Sequence, residues 1–138
     1  MDMKTGLVLE GGGMRGIYTC GVLDIMMDKG FEPDVLCGTS AGALFGVNLP
    51  SKQRGRAFDY NYRYCDNPDY VSIRSLIRTG NMVNVDFSYN RIPNELAPFD
   101  EVAFEASKTK VFATVTNVKT GKAEYIHIKN CKTQIDWL

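Results

Sequence analysis

Two short apolar runs, each followed by a glycine-rich turn and then by a stretch with helical spacing, organise the first fifty residues. Residues 6–9 read Gly-Leu-Val-Leu and precede the turn at residues 10–16, after which apolar residues recur at helical spacing over 17–29. Residues 35–37 are a second apolar run, and good helix formers follow over 40–49. The repeated order of buried strand, turn and helix predicts parallel strands with helical crossovers, and therefore an α/β fold.

The sheet is expected to resume in the last third of the chain. Residues 110–116 are dense in β-formers, residues 119–122 form a hairpin-type turn, and residues 123–128 continue as a strand. The hairpin adds an antiparallel strand to an otherwise parallel sheet.

The second turn matches the pattern Gly-x-Ser-x-Gly. It comprises Gly38, Thr39, Ser40, Ala41 and Gly42, directly after an apolar run and before a helical stretch. In this nucleophile elbow the serine is held on a tight strand-to-helix turn so that its hydroxyl projects from the sheet edge. The residues two before and two after must be small because strand and helix cross closely there. The context predicts that Ser40 is a nucleophile with φ > 0.

The first turn is a glycine loop whose backbone N–H groups can converge on an anion. Gly11, Gly13 and Gly16 formally fit the dinucleotide fingerprint, so a pyrophosphate is one candidate anion. The other candidate is the oxyanion of a tetrahedral intermediate, bound by N–H groups around Gly12 and Gly13.

The second strand discriminates between these anions. A nicotinamide-binding fold needs an acidic residue at the end of that strand to hold the ribose. This strand ends instead in the serine elbow, and Asp34 lies before it. Parallel strands place both turns at the same sheet edge, so we expect the glycine loop to face Ser40. The oxyanion interpretation is favoured, and a dinucleotide-binding module is the less favoured alternative.

The two motifs together resemble the patatin-like phospholipases. Residues 11–16, with Arg15 as the basic residue, and residues 38–42 carry the resemblance, and residues 114–120 are similar to the family's central strand and turn. Residues 53–56 (Gln-Arg-Gly-Arg) are similar to a bacterial branch. The resemblance implies a three-layer α/β/α fold with a mostly parallel sheet, and hydrolysis of fatty acyl esters by a Ser-Asp dyad without histidine. It implies no metal and no organic cofactor. The expected oxyanion loop comprises Gly11, Gly12, Gly13, Arg15 and Gly16.

The general base is the part that the sequence does not supply. The family's Asp lies in an Asp-Gly-Gly or Asp-Gly-Ala motif, and no Asp of this chain is followed by Gly. We therefore expect residues 1–138 to be the N-terminal part of one patatin-like domain, inactive by themselves. The single histidine, His127, falls in a predicted strand and is interpreted as structural. A Ser-His-Asp triad would have to use it.

Residues 51–98 are predicted to form an irregular, partly helical excursion that caps the site. Residues 51–92 carry seven basic and four acidic side chains, which fits a solvated surface or attraction to an anionic membrane surface. Arginines and tyrosines alternate here, but the interspersed aspartates argue against a nucleic-acid partner, as does the formal net charge of zero.

The partner that the family resemblance implies is a lipid or another acyl ester. A non-catalytic lipid- or protein-binding domain of the same fold is the alternative. Charged residues interrupt the N-terminus before a signal-peptide run forms, and no uncharged run reaches the length of a bilayer span. The expected location is the cytoplasm, with transient contact at a membrane surface as an option.

Overall fold

The computed structural model describes residues 3–138 and divides them into two compact units. The first unit comprises the residues up to Ala57 together with Asp100–Leu138, and the second unit is Phe58–Phe99. The second unit covers most of the excursion predicted over residues 51–98, and its role as a cap stays a prediction.

A four-stranded sheet forms the centre of the first unit. The strands are β1 (Gly6–Leu9), β2 (Val35–Gly38), β3 (Lys110–Thr116) and β4 (Ala123–Ile128), in the spatial order β1-β2-β3-β4. β1 pairs with β2 and β2 with β3 in parallel, whereas β4 pairs with β3 antiparallel. The predicted α/β class with a mostly parallel sheet is confirmed. An antiparallel β4 follows from the short turn before it, since a turn of that length cannot make a parallel crossover.

The helices occupy the crossovers and the second unit. They are α1 (Ile17–Asp28), α2 (Ala41–Gly46), α3 (Arg56–Tyr64), α4 (Ile73–Thr79) and α5 (Glu101–Ala106). A 3₁₀ turn, Gly13–Gly16, leads into α1, and another, Ile135–Trp137, lies near the C-terminus. No helix in the part of the chain described here is long and apolar enough to cross a bilayer.

One face of the sheet carries the core of the first unit. Leu36 of β2 pairs in register with Val111 of β3, which pairs with Ile128 of β4, and all three are at most 2% exposed. α2 packs on this face, since a Cβ on Gly46 would lie 2.9 Å from the side chains of Leu36 and Leu9. Buried residues alternate along β2 and along the first part of β3, as the period of a strand with one buried face requires.

The opposite face of the sheet is partly uncovered among the described residues. Val8 of β1 is 77% exposed and Tyr125 of β4 is 63% exposed. A second helical layer, which the family resemblance implies, stays a prediction.

The second unit is built around aromatic side chains. Tyr60, Tyr70 and Phe87 are buried, and the Tyr70 hydroxyl donates a 2.9 Å hydrogen bond to Oδ1 of buried Asn61. A π-helical segment, Asp86–Leu96, follows α4. Tyrosines that alternate with arginines in the sequence therefore include core residues of this unit. The unit contains helical segments where the sequence predicts an irregular, partly helical excursion.

Candidate active site

Ser40 lies at the turn between β2 and α2 in a conformation that residues with a Cβ rarely adopt. Its φ is 52° and its ψ is −123°. The Ser40 carbonyl accepts hydrogen bonds from the backbone N–H groups of Ala43 (2.8 Å) and Leu44 (3.1 Å), so the helix that begins here holds the serine in place. The side chain is exposed. The strained turn predicted from the sequence is present. Lys52 also has a positive φ, so the angle alone does not identify a site.

The two flanking glycines are required by close backbone approach. A Cβ on Gly38 would lie 2.5 Å from the backbone N and Cα of Ala43. A Cβ on Gly42 would overlap the Leu9 carbonyl oxygen and lie 2.6 Å from the Glu10 carbonyl oxygen. Backbone atoms cannot move aside as a flexible side chain can, so only glycine fits. The steric reason for the Gly-x-Ser-x-Gly pattern thus holds in this chain.

The glycine loop lies directly against the elbow. A Cβ on Gly11 would lie 3.3 Å from the Ser40 Cβ and 3.2 Å from the Thr39 carbonyl oxygen. The Thr39 N–H donates a 3.1 Å hydrogen bond to the Leu9 carbonyl at the end of β1, which fixes the two turns side by side. The sequence-based expectation that the loop faces Ser40 is therefore met, because β1 and β2 are parallel neighbours.

Packing between the start of α1 and α2 fixes the far end of the loop. A Cβ on Gly16 would lie 2.5 Å from Cε2 of Phe45 and 3.2 Å from the Cβ of Ala41. Gly16 is thus part of the scaffold of the loop, a role that its place in a glycine-rich run does not reveal.

Four backbone N–H groups of the glycine loop and the elbow are unpaired within residues 3–138. Those of Gly11, Gly12 and Gly13 donate no hydrogen bond to a described residue, and neither does that of Ala41 at the first position of α2. The glycine pattern of the sequence does not identify the Ala41 N–H as a further candidate donor. Its position could have indicated this, because the backbone N–H of the residue after the serine is an oxyanion donor in nucleophile elbows.

Arg15 contributes to the loop through its backbone. Its N–H donates a 3.1 Å hydrogen bond to the Gly12 carbonyl, closing the 3₁₀ turn. Its side chain is exposed and makes no hydrogen bond or ion pair with the described residues. An electrostatic contribution of the guanidinium to the loop stays a prediction.

No base contacts Ser40 within the described residues. Its hydroxyl has no hydrogen-bond partner there, and several aspartates of the first unit are engaged elsewhere. Asp24 accepts the Gly55 N–H (2.9 Å), and Asp28 forms an ion pair with Arg54 (2.7 Å) that lowers the pKa of this aspartate.

Two further aspartates have structural roles. Asp34 accepts the Thr5 N–H (2.8 Å) and pairs with Lys4 (3.0 Å), and these bonds lower its pKa. It joins the beginnings of β1 and β2, at the sheet edge opposite Ser40, as predicted. Asp100 caps α5 by accepting the Ala103 N–H (2.9 Å).

His127 packs as a structural residue. Its ring stacks on that of Phe112, its partner in the β3–β4 register, with centroids 4.9 Å apart and planes 22° from parallel. The side chain is half-buried. This environment accounts for a histidine on β4 without a catalytic role.

The four cysteines are free thiols. Burial raises the pKa of Cys20 to about 12, and it raises that of Cys131 still further. Neither thiol is therefore a rival nucleophile near neutral pH. Cys37 is half-buried, with its Sγ 3.2 Å from Oγ1 of Thr114.

A mostly parallel sheet that presents a strained serine turn beside a glycine loop defines an α/β protein. The comparison with known families is more specific. A family model described as patatin-like phospholipase matches residues 7–137. The chain belongs to the patatin-like phospholipase family.

Several curated proteins are similar to parts of the chain. YjjU of Escherichia coli (strain K12), an uncharacterized protein, is 39% identical over 85 residues, which cover 61% of this chain and 24% of YjjU. Triacylglycerol lipase ptl3 of Schizosaccharomyces pombe is 45% identical over 41 residues, or 30% of this chain and 8% of the lipase. Lysophospholipase NTE1 of Chaetomium globosum is 49% identical over 44 residues, or 32% of this chain and 3% of that protein. The chain thus spans about a quarter or less of the length of these relatives. No solved structure matches it.

Proposed function

We propose that the protein hydrolyses fatty acyl esters of lipids, with Ser40 as the nucleophile. The observation that carries the proposal is the turn at Ser40, where φ is 52° and the Gly11 loop lies against the serine. A strained, exposed serine beside unpaired N–H groups is the arrangement that acyl transfer needs. Family membership and the similarity to a triacylglycerol lipase and a lysophospholipase support a lipid ester as substrate.

In the proposed mechanism Ser40 Oγ attacks the acyl carbonyl carbon while an aspartate takes its proton. The carbonyl oxygen becomes an oxyanion and accepts hydrogen bonds from the N–H groups of Gly12 and Gly13, with Ala41 as a further donor. Collapse of the intermediate breaks the ester bond, and the leaving alcohol takes the proton from the aspartate. Water then attacks the acyl-serine, the aspartate accepts a proton from it, and the fatty acid leaves as Ser40 is reprotonated.

The aspartate of this mechanism lies outside the described contacts of Ser40. The family resemblance supplies the expectation of an Asp-Gly motif, which residues 1–138 do not contain. The hydrolytic activity is therefore proposed for a protein in which such an aspartate reaches Ser40.

A non-catalytic lipid- or protein-binding domain is the second candidate. The observation in its favour is that Ser40 Oγ has no hydrogen-bond partner among residues 3–138, so nothing described here activates it. Both candidates share the preformed elbow and loop, and they differ in the reactivity of the serine.

Labelling with a fluorophosphonate separates the two candidates, since this reagent modifies activated serines. We expect the intact protein to be labelled at Ser40, and Ser40→Ala to abolish labelling. Ser107→Ala, a change in a surface turn of the same unit, should leave labelling intact. An unlabelled intact protein that binds lipid would favour the non-catalytic candidate. Labelling that persists in Ser40→Ala would remove the nucleophile assignment.

A further inference from the structure

Helix α4 in the second unit buries a polar residue and exposes its apolar residues, the reverse of an ordinary surface helix. Its inward residue is Ser75, which is 4% exposed and donates a 2.8 Å hydrogen bond from Oγ to the Asn81 carbonyl. Thr79 Oγ1 donates to the Ser75 carbonyl at 2.8 Å. The residues on the outer side are Ile73, 69% exposed, and Ile77, 82% exposed. A helix of a water-soluble unit normally buries its apolar stripe, so the outward isoleucines need a different explanation.

The apolar residues form one stripe on the outer side of the helix. Ile73, Leu76 and Ile77 stand at spacings of three and four residues, which place them on the same helical face. At 100° per residue, this face is centred opposite the direction of Ser75. Leu76 is itself 42% exposed. The stripe therefore points away from the core of the second unit.

The segment that follows α4 extends this apolar surface. Met82 is 50% exposed, Val83 38% and Val85 48%. The Ser72 N–H donates a 3.0 Å hydrogen bond to the Met82 carbonyl, and Val83 forms an antiparallel bridge with Val71. These bonds hold the segment beside the beginning of α4. We call the exposed apolar residues together the α4 surface: Ile73, Leu76, Ile77, Met82, Val83 and Val85.

Two arginines flank the α4 surface and form no ion pair with a described residue, although Asp69 lies in the same depression. Arg74 and Arg78 are exposed, stand four residues apart on α4, and have no ion pair within residues 3–138. They line one shallow depression together with Asn84 and Asp69, and Asp69 forms an ion pair with neither of them. Residues 70–85 contain no Asp or Glu. The surface is therefore apolar at its outer side and cationic along one border.

We propose that the α4 surface docks on a lipid bilayer that contains anionic lipids. The isoleucines and Leu76 would enter the boundary between headgroups and acyl chains, as the apolar side of an interfacial helix does. Arg74 and Arg78 would remain at the level of the headgroup phosphates, to which their charge is complementary. The proposal depends on the second unit alone and not on ester hydrolysis by Ser40.

The experiment is co-sedimentation of the intact protein with vesicles of pure phosphatidylcholine or of phosphatidylcholine mixed with phosphatidylglycerol. The protein carries Ser40→Ala, so that no lipid is cleaved. Binding should be stronger to the anionic vesicles. Ile77→Ser should weaken it about tenfold, since it removes a large apolar side chain from the membrane boundary, and Ile73→Ser should act alike. Arg74→Gln with Arg78→Gln should weaken binding to anionic vesicles on the order of tenfold and leave the weak binding to neutral vesicles unchanged.

Matched controls test the location of the effect. Val102→Ser changes a side chain that is 78% exposed in the first unit, and Arg63→Gln changes an exposed arginine elsewhere in the second unit. Both should leave vesicle binding unchanged. Circular dichroism should show the wild-type spectrum for Ile77→Ser, since this exposed residue contributes little to the core.

Four results would overturn the proposal. The first is equal binding to neutral and anionic vesicles, and the second is binding that neither Ile77→Ser nor Ile73→Ser weakens. The third is a loss of binding in the Val102→Ser control. The fourth is a protein that binds no vesicle but forms a dimer, which Ile77→Ser dissociates. Hydrolysis is measured separately on a water-soluble short-chain ester with Ser40 restored. Vesicle binding without hydrolysis would refute only the proposed function, whereas hydrolysis without vesicle binding would refute only the docking surface.

Discussion

At the scale of the residue, the strained backbone conformation of Ser40 is the feature on which the proposed chemistry depends. A non-glycine residue at φ 52° and ψ −123° costs on the order of 1–3 kcal/mol. The surrounding bonds maintain this conformation, since the Ser40 carbonyl accepts two helical N–H groups and the Thr39 N–H is held by Leu9. The strain leaves the serine side chain exposed at the sheet edge. We infer that the strain is retained because it directs the hydroxyl outward.

A comparison of Arg15→Ala with Ser40→Ala tests the division of labour in the glycine loop. The Arg15 side chain makes no described contact, while its N–H bonds to the Gly12 carbonyl, a bond that alanine keeps. In the intact protein we expect Arg15→Ala to lower the turnover of a chromogenic ester by less than Ser40→Ala does. Equal losses from the two substitutions would show that the guanidinium takes a direct part in the reaction.

His127→Asn tests whether the site uses a histidine base. The imidazole stacks on Phe112, and neither of its nitrogens makes a described hydrogen bond to Ser40. The variant of the intact protein should therefore hydrolyse esters within about tenfold of the wild-type rate. A loss of about 10⁴, the scale seen when a triad member is disabled, would assign the protein to the Ser-His-Asp hydrolases.

At the scale of the element, β1, β2 and α2 are joined by contacts that only glycine permits. α2 begins at Ala41 and ends at Gly46, shorter than the helix predicted over residues 40–49. Ser40 cannot be helical at its positive φ, and the Asn48 side chain donates to the Phe45 carbonyl (2.9 Å), which competes with continued helix. The short helix packs closely on the ends of both strands.

Gly42→Ala tests this close packing. Its Cβ would overlap the Leu9 carbonyl oxygen and approach the Glu10 carbonyl oxygen. We expect the free energy of unfolding to fall by about 1–3 kcal/mol or more, measured by chemical denaturation. Gly21→Ala is the matched control. Gly21 is an exposed residue within α1, and a Cβ at this position would have no heavy atom within 4 Å. This substitution should raise the free energy of unfolding by about 0.5–1 kcal/mol. Equal effects of the two substitutions would contradict the assigned packing.

At the scale of the whole molecule, residues 3–138 contain a formed elbow and a formed loop but no described base for Ser40. The carboxylates of Asp24, Asp28 and Asp34 already hold the first unit together. These aspartates therefore have structural partners and make no described contact with Ser40, even though Asp34 is close to Ser40 in the sequence. The proposed oxyanion site and the proposed activation of Ser40 are thus separable properties.

The separation predicts different activities for different lengths of polypeptide. Residues 1–138 alone should show little or no turnover of a short-chain chromogenic ester, because an unactivated serine is a weak nucleophile at neutral pH. A longer protein that contains an Asp-Gly-Gly or Asp-Gly-Ala motif should be active. If the two polypeptides have the same turnover, a base within residues 1–138 serves Ser40, and the assignment of its absence is wrong.

Local sequence patterns determined the strands and the serine turn. The apolar run and the run of β-formers predict the bounds of β1 (Gly6–Leu9) and β3 (Lys110–Thr116). The close crossing of strand and helix at the elbow is predicted by Gly38 and Gly42. Such features can be read from the sequence because neighbours along the chain determine them, through side-chain periodicity and backbone sterics. The family resemblance added the substrate class, which no local pattern contains.

Only the tertiary structure decided which groups meet. The contact of Gly11 with Ser40 depends on the parallel pairing of β1 with β2, which joins residues about thirty positions apart. The choice of which face of α4 is buried is the clearest example. The spacing of Ile73 and Ile77 would predict a buried apolar face, yet the structure buries Ser75. Periodicity identifies the faces of a helix but not the one that packs, because burial depends on what the rest of the chain places beside it.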